Sequence, residues 1–176
     1  MKKNKFIKLS VMVFITLLLF GCEDTKKVEN REVSNNSNTI INNTGSGHKH
    51  CTREATAGSG IDVSLNYDLY YEGDNLNKLY SEERVTSESK DSLDTYENAY
   101  KKIHANYEGL EHYNTSVERD ENSVTSKITI EYDQIDIDAL LDIEGEKDNI
   151  IENGKAKLSK WITLAEKFGT KCEDVE

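Results

Sequence analysis

Proline is absent from the 176 residues, so every turn must rely on Gly, Asn, Asp and Ser. Positive charge is scarce. Lys and Arg number 22 against 33 Asp and Glu, a formal net charge of -11. Four of those lysines (Lys2, Lys3, Lys5 and Lys8) stand in the first ten residues, and the chain beyond residue 21 carries about -15. So acidic a chain is a poor match for nucleic acid, whose affinity comes from Lys and Arg at phosphates. Anionic headgroups would repel it too. The charge favours solubility and the avoidance of non-specific contacts. Catalytic signatures are also missing. There is no nucleophile motif such as G-x-S-x-G. The expectation is a protein that is not an enzyme and carries no cofactor. Cysteine is limited to Cys22, Cys51 and Cys172.

What is present begins at the N-terminus, MKKNKFIKLSVMVFITLLLFGC. The lysines form a positive region. Val11 to Phe20 follows, with Thr16 its only polar residue. That length suits the apolar core of a secretion signal, about 7–15 residues. It is short for a membrane-spanning anchor, which takes roughly 20 apolar residues. Leu19-Phe20-Gly21-Cys22 resembles the lipobox of bacterial lipoproteins, although Phe20 is bulkier than the usual residue there. The resemblance implies a diacylglyceryl group on the Cys22 thiol, cleavage before Cys22 and a new N-terminus open to acylation. One acyl chain anchors marginally and two hold stably. Residues 1–21 are therefore expected to be a signal peptide and Cys22 the lipid attachment site. The protein would sit on the extracytoplasmic face of the cell membrane.

Lipidation of Cys22 leaves two cysteines in an oxidising compartment. A Cys51–Cys172 disulfide is the simplest outcome, with two free thiols the alternative. Closing so long a loop is worth about 4–5 kcal/mol in the chain-entropy model, though real bridges often give less.

Residues 22–50 comprise the lipidated cysteine and a stretch dominated by Asn, Ser, Thr, Lys, Glu and Gly, with no aromatic residue and no amphipathic period. Such a segment buries too little apolar surface to fold and reads as a disordered tether, spanning about 30 Å as a random coil. Residues 51–176 read as a small domain. Ile61, Val63, Leu65, Tyr67, Leu69 and Tyr71 alternate with mostly polar residues, the period of a half-buried strand. Glu72-Gly73-Asp74-Asn75 is turn chemistry, and Leu76 to Thr86 is the returning strand, polar on both faces. Asp91 to Tyr107 predicts a helix with Leu93, Tyr96, Tyr100, Ile103 and Tyr107 on one stripe, capped by Ser89 or Ser92 and ended by Gly109. Leu110 to Val117 and Val124 to Tyr132 form a hairpin around the turn at Arg119 to Asn122. Asp133 to Ile143 suggests one helical turn and Asn149 to Gly154 a loop. Lys157 to Phe168 is a second helix stopped by Gly169. The order ββαββα predicts an α+β fold, an antiparallel sheet of about four strands with helices packed on one face.

From Tyr70-Tyr71-Glu72-Gly73-Asp74, through the 91–107 helix and the 110–132 hairpin, to Ile135-Asp136-Ile137-Asp138-Ala139-Leu140, the chain resembles the YehR-like family of uncharacterised bacterial lipoproteins. The closing helix, Trp161 to Phe168, falls in the matching place. The resemblance covers about residues 61–170 and rests on element order and scattered residues. It implies an α+β fold with an antiparallel sheet. It implies no activity and transfers no catalytic residue.

Four groupings offer chemistry. His48, His50 and Cys51 are legitimate zinc or copper ligands, but their spacing matches no closed site and Cys51 is wanted for the disulfide. Asp133, Asp136, Asp138, Asp142, Glu144 and Glu146 do not meet EF-hand spacing and read as a solvated acidic edge. His104 and His112, with Glu108 and Glu111 nearby, need convergence in a pocket to act as acid and base. All nine tyrosines lie beyond residue 66. A small core closed by amphipathic rings is the favoured use of them. Tyr70 and Tyr71 leave opposite faces of a strand, however, and one exposed ring would mark a contact surface. The functional expectation is a membrane-anchored binding or interaction module at the cell envelope, touching the membrane through its lipid and an envelope protein or ligand through its domain. The alternative is an envelope enzyme or metal-binding protein using the His48/His50/Cys51 cluster or His104.

Overall fold

The structure is a computed structural model, described for residues 45–57, 60–145 and 149–175. The signal segment, Cys22 and the tether up to residue 44 lie outside the described residues, as does Glu146. Among the described residues, eight strands and three helices follow one another as β1 (Ser46–Ala57), β2 (Ile61–Glu72), β3 (Asn75–Ser87), α1 (Lys90–His104), β4 (Tyr113–Arg119), β5 (Ser123–Glu131), α2 (Ile137–Glu144), β6 (Ile151–Glu152), β7 (Lys155–Ala156), α3 (Leu158–Glu166) and β8 (Lys171–Val175). A 3-10 turn, Ala105–Tyr107, extends α1. Six strands form one antiparallel sheet in the order β4-β5-β3-β2-β1-β8. β6 and β7 make a separate small hairpin.

The α+β class stands, but the sheet has six strands where four were expected. The two additional strands are β1 and β8. The residue pattern hides β1, because its inward positions are Gly47, Lys49, Cys51, Arg53 and Ala55, and of these only Cys51 is a fully buried apolar residue. Its pairing with β2 nevertheless runs unbroken from Ser46↔Glu72 to Ala57↔Ile61. Strand structure is therefore already present at Ser46, within the stretch read as tether and ahead of the expected boundary at Cys51. Gly47 suits that position, since a Cβ there would run into the outer end of the Tyr71 ring and displace it. β8 pairs with β1 alone and closes the opposite edge from β4. Two smaller differences follow the same logic. Residues 151–156 pair across a two-residue turn with Gly154 at φ +70, a hairpin where a loop was expected. Asp136 caps α2, its Oδ1 accepting from the Asp138 and Ala139 amides, so the expected single turn becomes a helix of two turns.

Each helix buries one stripe against the same face of the sheet. α1 contributes Leu93, Tyr96 and Tyr100, with Ser89 as its cap. α3 contributes Leu158, Trp161, Ile162 and Ala165, and the Trp161 ring meets Tyr67 of β2 edge-on at 5.0 Å. In α2, Leu140 is fully buried, and Glu144 reaches Tyr107, whose ring stacks on Tyr113 of β4 at 4.2 Å. The period of two read in β2 is the reason. Val63, Leu65, Tyr67 and Leu69 point under the helices, and the alternate residues point to the other face. No helix among the described residues is long and apolar enough to cross a membrane.

Candidate binding face of the sheet

Alternation along β1 sorts the His48-Lys49-His50-Cys51 run. His48 and His50 share the open face, which no helix among the described residues covers, while Cys51 turns to the covered face and is fully buried. There Cys51 bonds to Cys172, its direct partner in β8, as the cysteine count predicted. A metal set of His48, His50 and Cys51 is therefore overturned. Its members lie on opposite sides of the sheet, and the cysteine sulfur is already bonded.

The two imidazoles take a different partner. Asp68 of β2 lies opposite His50 in the register. Its Oδ1 accepts from His48 Nε2 at 2.8 Å and from His50 Nδ1 at 3.0 Å. Partial burial works to raise the Asp68 carboxyl, but the hydrogen bonds from His50 and His48 outweigh it and hold the group below its usual range. Among the described residues no cluster of three or more His, Cys, Asp or Glu is arranged to hold a metal ion.

Tyr70 completes the group. It lies opposite His48, and the two rings stack nearly parallel with centroids 4.4 Å apart. As the adjacent pair implied, Tyr71 turns toward the covered side and Tyr70 stays outside, 43% exposed. Val175 of β8 flanks His48 on the other side and is 44% exposed. These are the two exposed large hydrophobic residues among those described. Beyond Tyr70 the same row continues through Lys78 to Glu131, which binds Lys78 at 3.3 Å and His112 Nδ1 at 3.1 Å. Tyr80 donates to Glu82 at 3.2 Å. The open face thus combines a small apolar stripe, Val175–His48–Tyr70, with a rim of satisfied charges.

The other sequence candidates separate. His104 points into the core, where its Nε2 and the Ser126 hydroxyl lie 3.0 Å apart, both groups buried. Burial lowers its pKa. His112 sits on the open-face rim, so the two histidines do not converge. Clefts of about 350 Å3 beside α3 and about 560 Å3 near the β3–α1 junction contain no histidine among their lining residues. The acidic run divides as well. Asp136 is a helix cap, whereas Glu144, expected at a solvated edge, is buried beneath Tyr107. Burial pushes its carboxyl up to about 7.

Two important acids, Asp68 and Glu83, are not singled out by the sequence pattern, and a third, Glu144, lies inside instead of at the solvated edge expected for it. Asp68 looked like one more polar residue on the wet face of β2, and only the β1 register brings two imidazoles to it. Glu83 lies on the covered face of β3, opposite Leu65 and Ser126. Burial pushes its carboxyl up to about 7, against the opposing pull of Tyr100 and Arg53. Its Oε1 and the Tyr100 hydroxyl are buried without a well-formed hydrogen bond.

No family model matches the chain. No curated protein matches it either. Among solved structures it is similar to the NMR structure of the E. coli YehR protein, at 16% identity and a TM-score of 0.48 over 78% of this chain and 96% of that one. It is also similar to the NMR structure of a protein from Streptococcus pneumoniae TIGR4, at 14% identity and a TM-score of 0.44 over 88% of this chain and 98% of that one.

Proposed function

We propose that this protein is a lipid-anchored extracytoplasmic binding module, held through Cys22 and contacting an envelope protein or ligand with the open face of its sheet around Tyr70 and His48. The observation that carries the reading is the exposed Tyr70 ring, stacked on His48 and continued by Val175 on a face that no helix among the described residues covers. Aromatic rings with a polar tip are enriched where proteins meet partners, because they bury apolar area while keeping a hydrogen bond to water or partner. Lipidation enters from the N-terminal resemblance and the tether that follows it. Gly45, where the described domain begins, accepts a hydrogen bond from the Gly73 amide, so the tether would enter beside the β2–β3 turn.

The test is a pull-down from detergent-solubilised membranes with the wild-type protein and the Tyr70→Ala/His48→Ala variant. Partners recovered by the wild type and lost by the variant are expected. Equal recovery by both, or no reproducible partner, removes the binding face. The anchor is tested separately. Cys22→Ala should shift the protein to the soluble fraction or leave uncleaved precursor, and unchanged fractionation and mobility would refute lipidation.

A further inference from the structure

The Cys51–Cys172 bond ties down an element that contributes little else to the fold. Of the five β8 residues, Cys172 alone is not exposed. Among the described residues β8 pairs along one side, with residues 48–52 of β1, and no described strand lies along its other edge. The polar ties at its far end are on an exposed group, Asp174, which accepts from Lys49 and from Tyr71. Just before β8 the chain is well held. Thr170 is buried, its amide donates to Ala165, and Gly169 turns the chain at φ +83. A firmly fixed hinge followed by a strand with almost no side-chain burial is the arrangement of a unit that opens locally rather than with the whole domain.

We propose that the disulfide is a redox latch on β8: closed, it holds the C-terminal strand against β1; reduced, it frees residues 171–175 while the rest of the sheet stays folded. This is independent of whether the Tyr70 face binds a partner. The reductant is a dithiol. Its thiolate attacks Sγ of the half-buried Cys172, forming a mixed disulfide, and Cys51 leaves as a thiolate and takes a proton. The second thiol of the donor then displaces Cys172, so the donor ends as a disulfide and the protein gains two electrons and two protons. Release has two consequences on the open side. β1 becomes an edge strand with unpaired backbone groups over residues 48–52. Val175 also departs from beside His48, so the redox state alters the surface at Tyr70.

Hydrogen exchange read by mass spectrometry tests this on the full chain in detergent, oxidised and after dithiothreitol reduction with thiol alkylation. A loss of protection of about tenfold or more is expected over 171–175 and the β1 amides that face them, beyond the fall that loss of the cross-link brings to the peptides of β2 and α1. Unchanged protection of β8 after reduction overturns the latch, since the strand then holds without its bond. A fall in protection of equal size throughout the chain also overturns it, since the bond is then a staple for the whole domain and not for β8. Cys172→Ser, which adds no alkyl group, must reproduce the local pattern.

Discussion

The covered and open faces of the sheet are built from the same kinds of residue and treat them in opposite ways. On the covered face a carboxyl, Glu83, lies among Tyr67, Tyr96 and Tyr100, and a histidine, His104, pairs with Ser126. On the open face a carboxyl, Asp68, meets two histidines beside Tyr70. Burial without sufficient partners drives Glu83 toward its neutral form. Two donors at the edge of solvent hold Asp68 in its charged form. The difference teaches that residue type does not distinguish structural from contact chemistry here. Desolvation and the number of hydrogen-bond donors do.

The comparison breaks most forcefully at Trp161. It is almost wholly buried and props α3 on Tyr67. Trp161→Ala should cost about 3–5 kcal/mol in denaturant unfolding, the range for deleting a large buried ring. A loss under about 1 kcal/mol would show that the covered face is not the core.

Next comes Glu83. Its folded carboxyl lies at about 7 against 4.5 in the unfolded chain, so between those values the native state binds more protons. Stability from this group is therefore full below pH 4.5 and is lost as pH rises toward 7. The shift corresponds to a penalty on the order of 3 kcal/mol above pH 7. Glu83→Gln should remove most of that slope, and the gain over wild type should be larger at pH 8 than at pH 5. Parallel pH profiles for the two proteins would refute the buried acid.

The smallest effect belongs to Tyr70. Tyr70→Ala should change stability by no more than about 0.5 kcal/mol, as expected of an exposed position. A large loss would make the Tyr70–His48 stack part of the fold instead of a contact surface, and so sharpen or remove the contrast between faces.

Much of the covered face was legible in the chain. Alternation in β2, the hairpin of β4 and β5, and the stripes of α1 and α3 all follow from side-chain period. The cysteine count pointed to Cys51 and Cys172. β3 was harder to read because Ser81 and Glu83 occupy inward positions that a simple pattern reserves for apolar residues. The open face was legible only at Tyr70 and Tyr71, where adjacency in a strand guarantees opposite faces. The His48–Asp68–His50 group was invisible, because its acid and its bases lie 18 and 20 residues apart and meet only through register.

By itself, the sequence determined the elements whose apolar residues recur at the period of a strand or helix, and through its cysteines the pairing that joins the ends of the domain. Tertiary structure alone decided that 46–50 and 171–175 are strands, that Glu83 and Glu144 are buried, and that Asp68 holds two imidazoles. The reason is physical. A helix or half-buried strand writes its burial into its own spacing, whereas β1 and β8 draw their structure from backbone hydrogen bonds to neighbours, which any side chain but proline permits. This chain has no proline to mark where such pairing must stop.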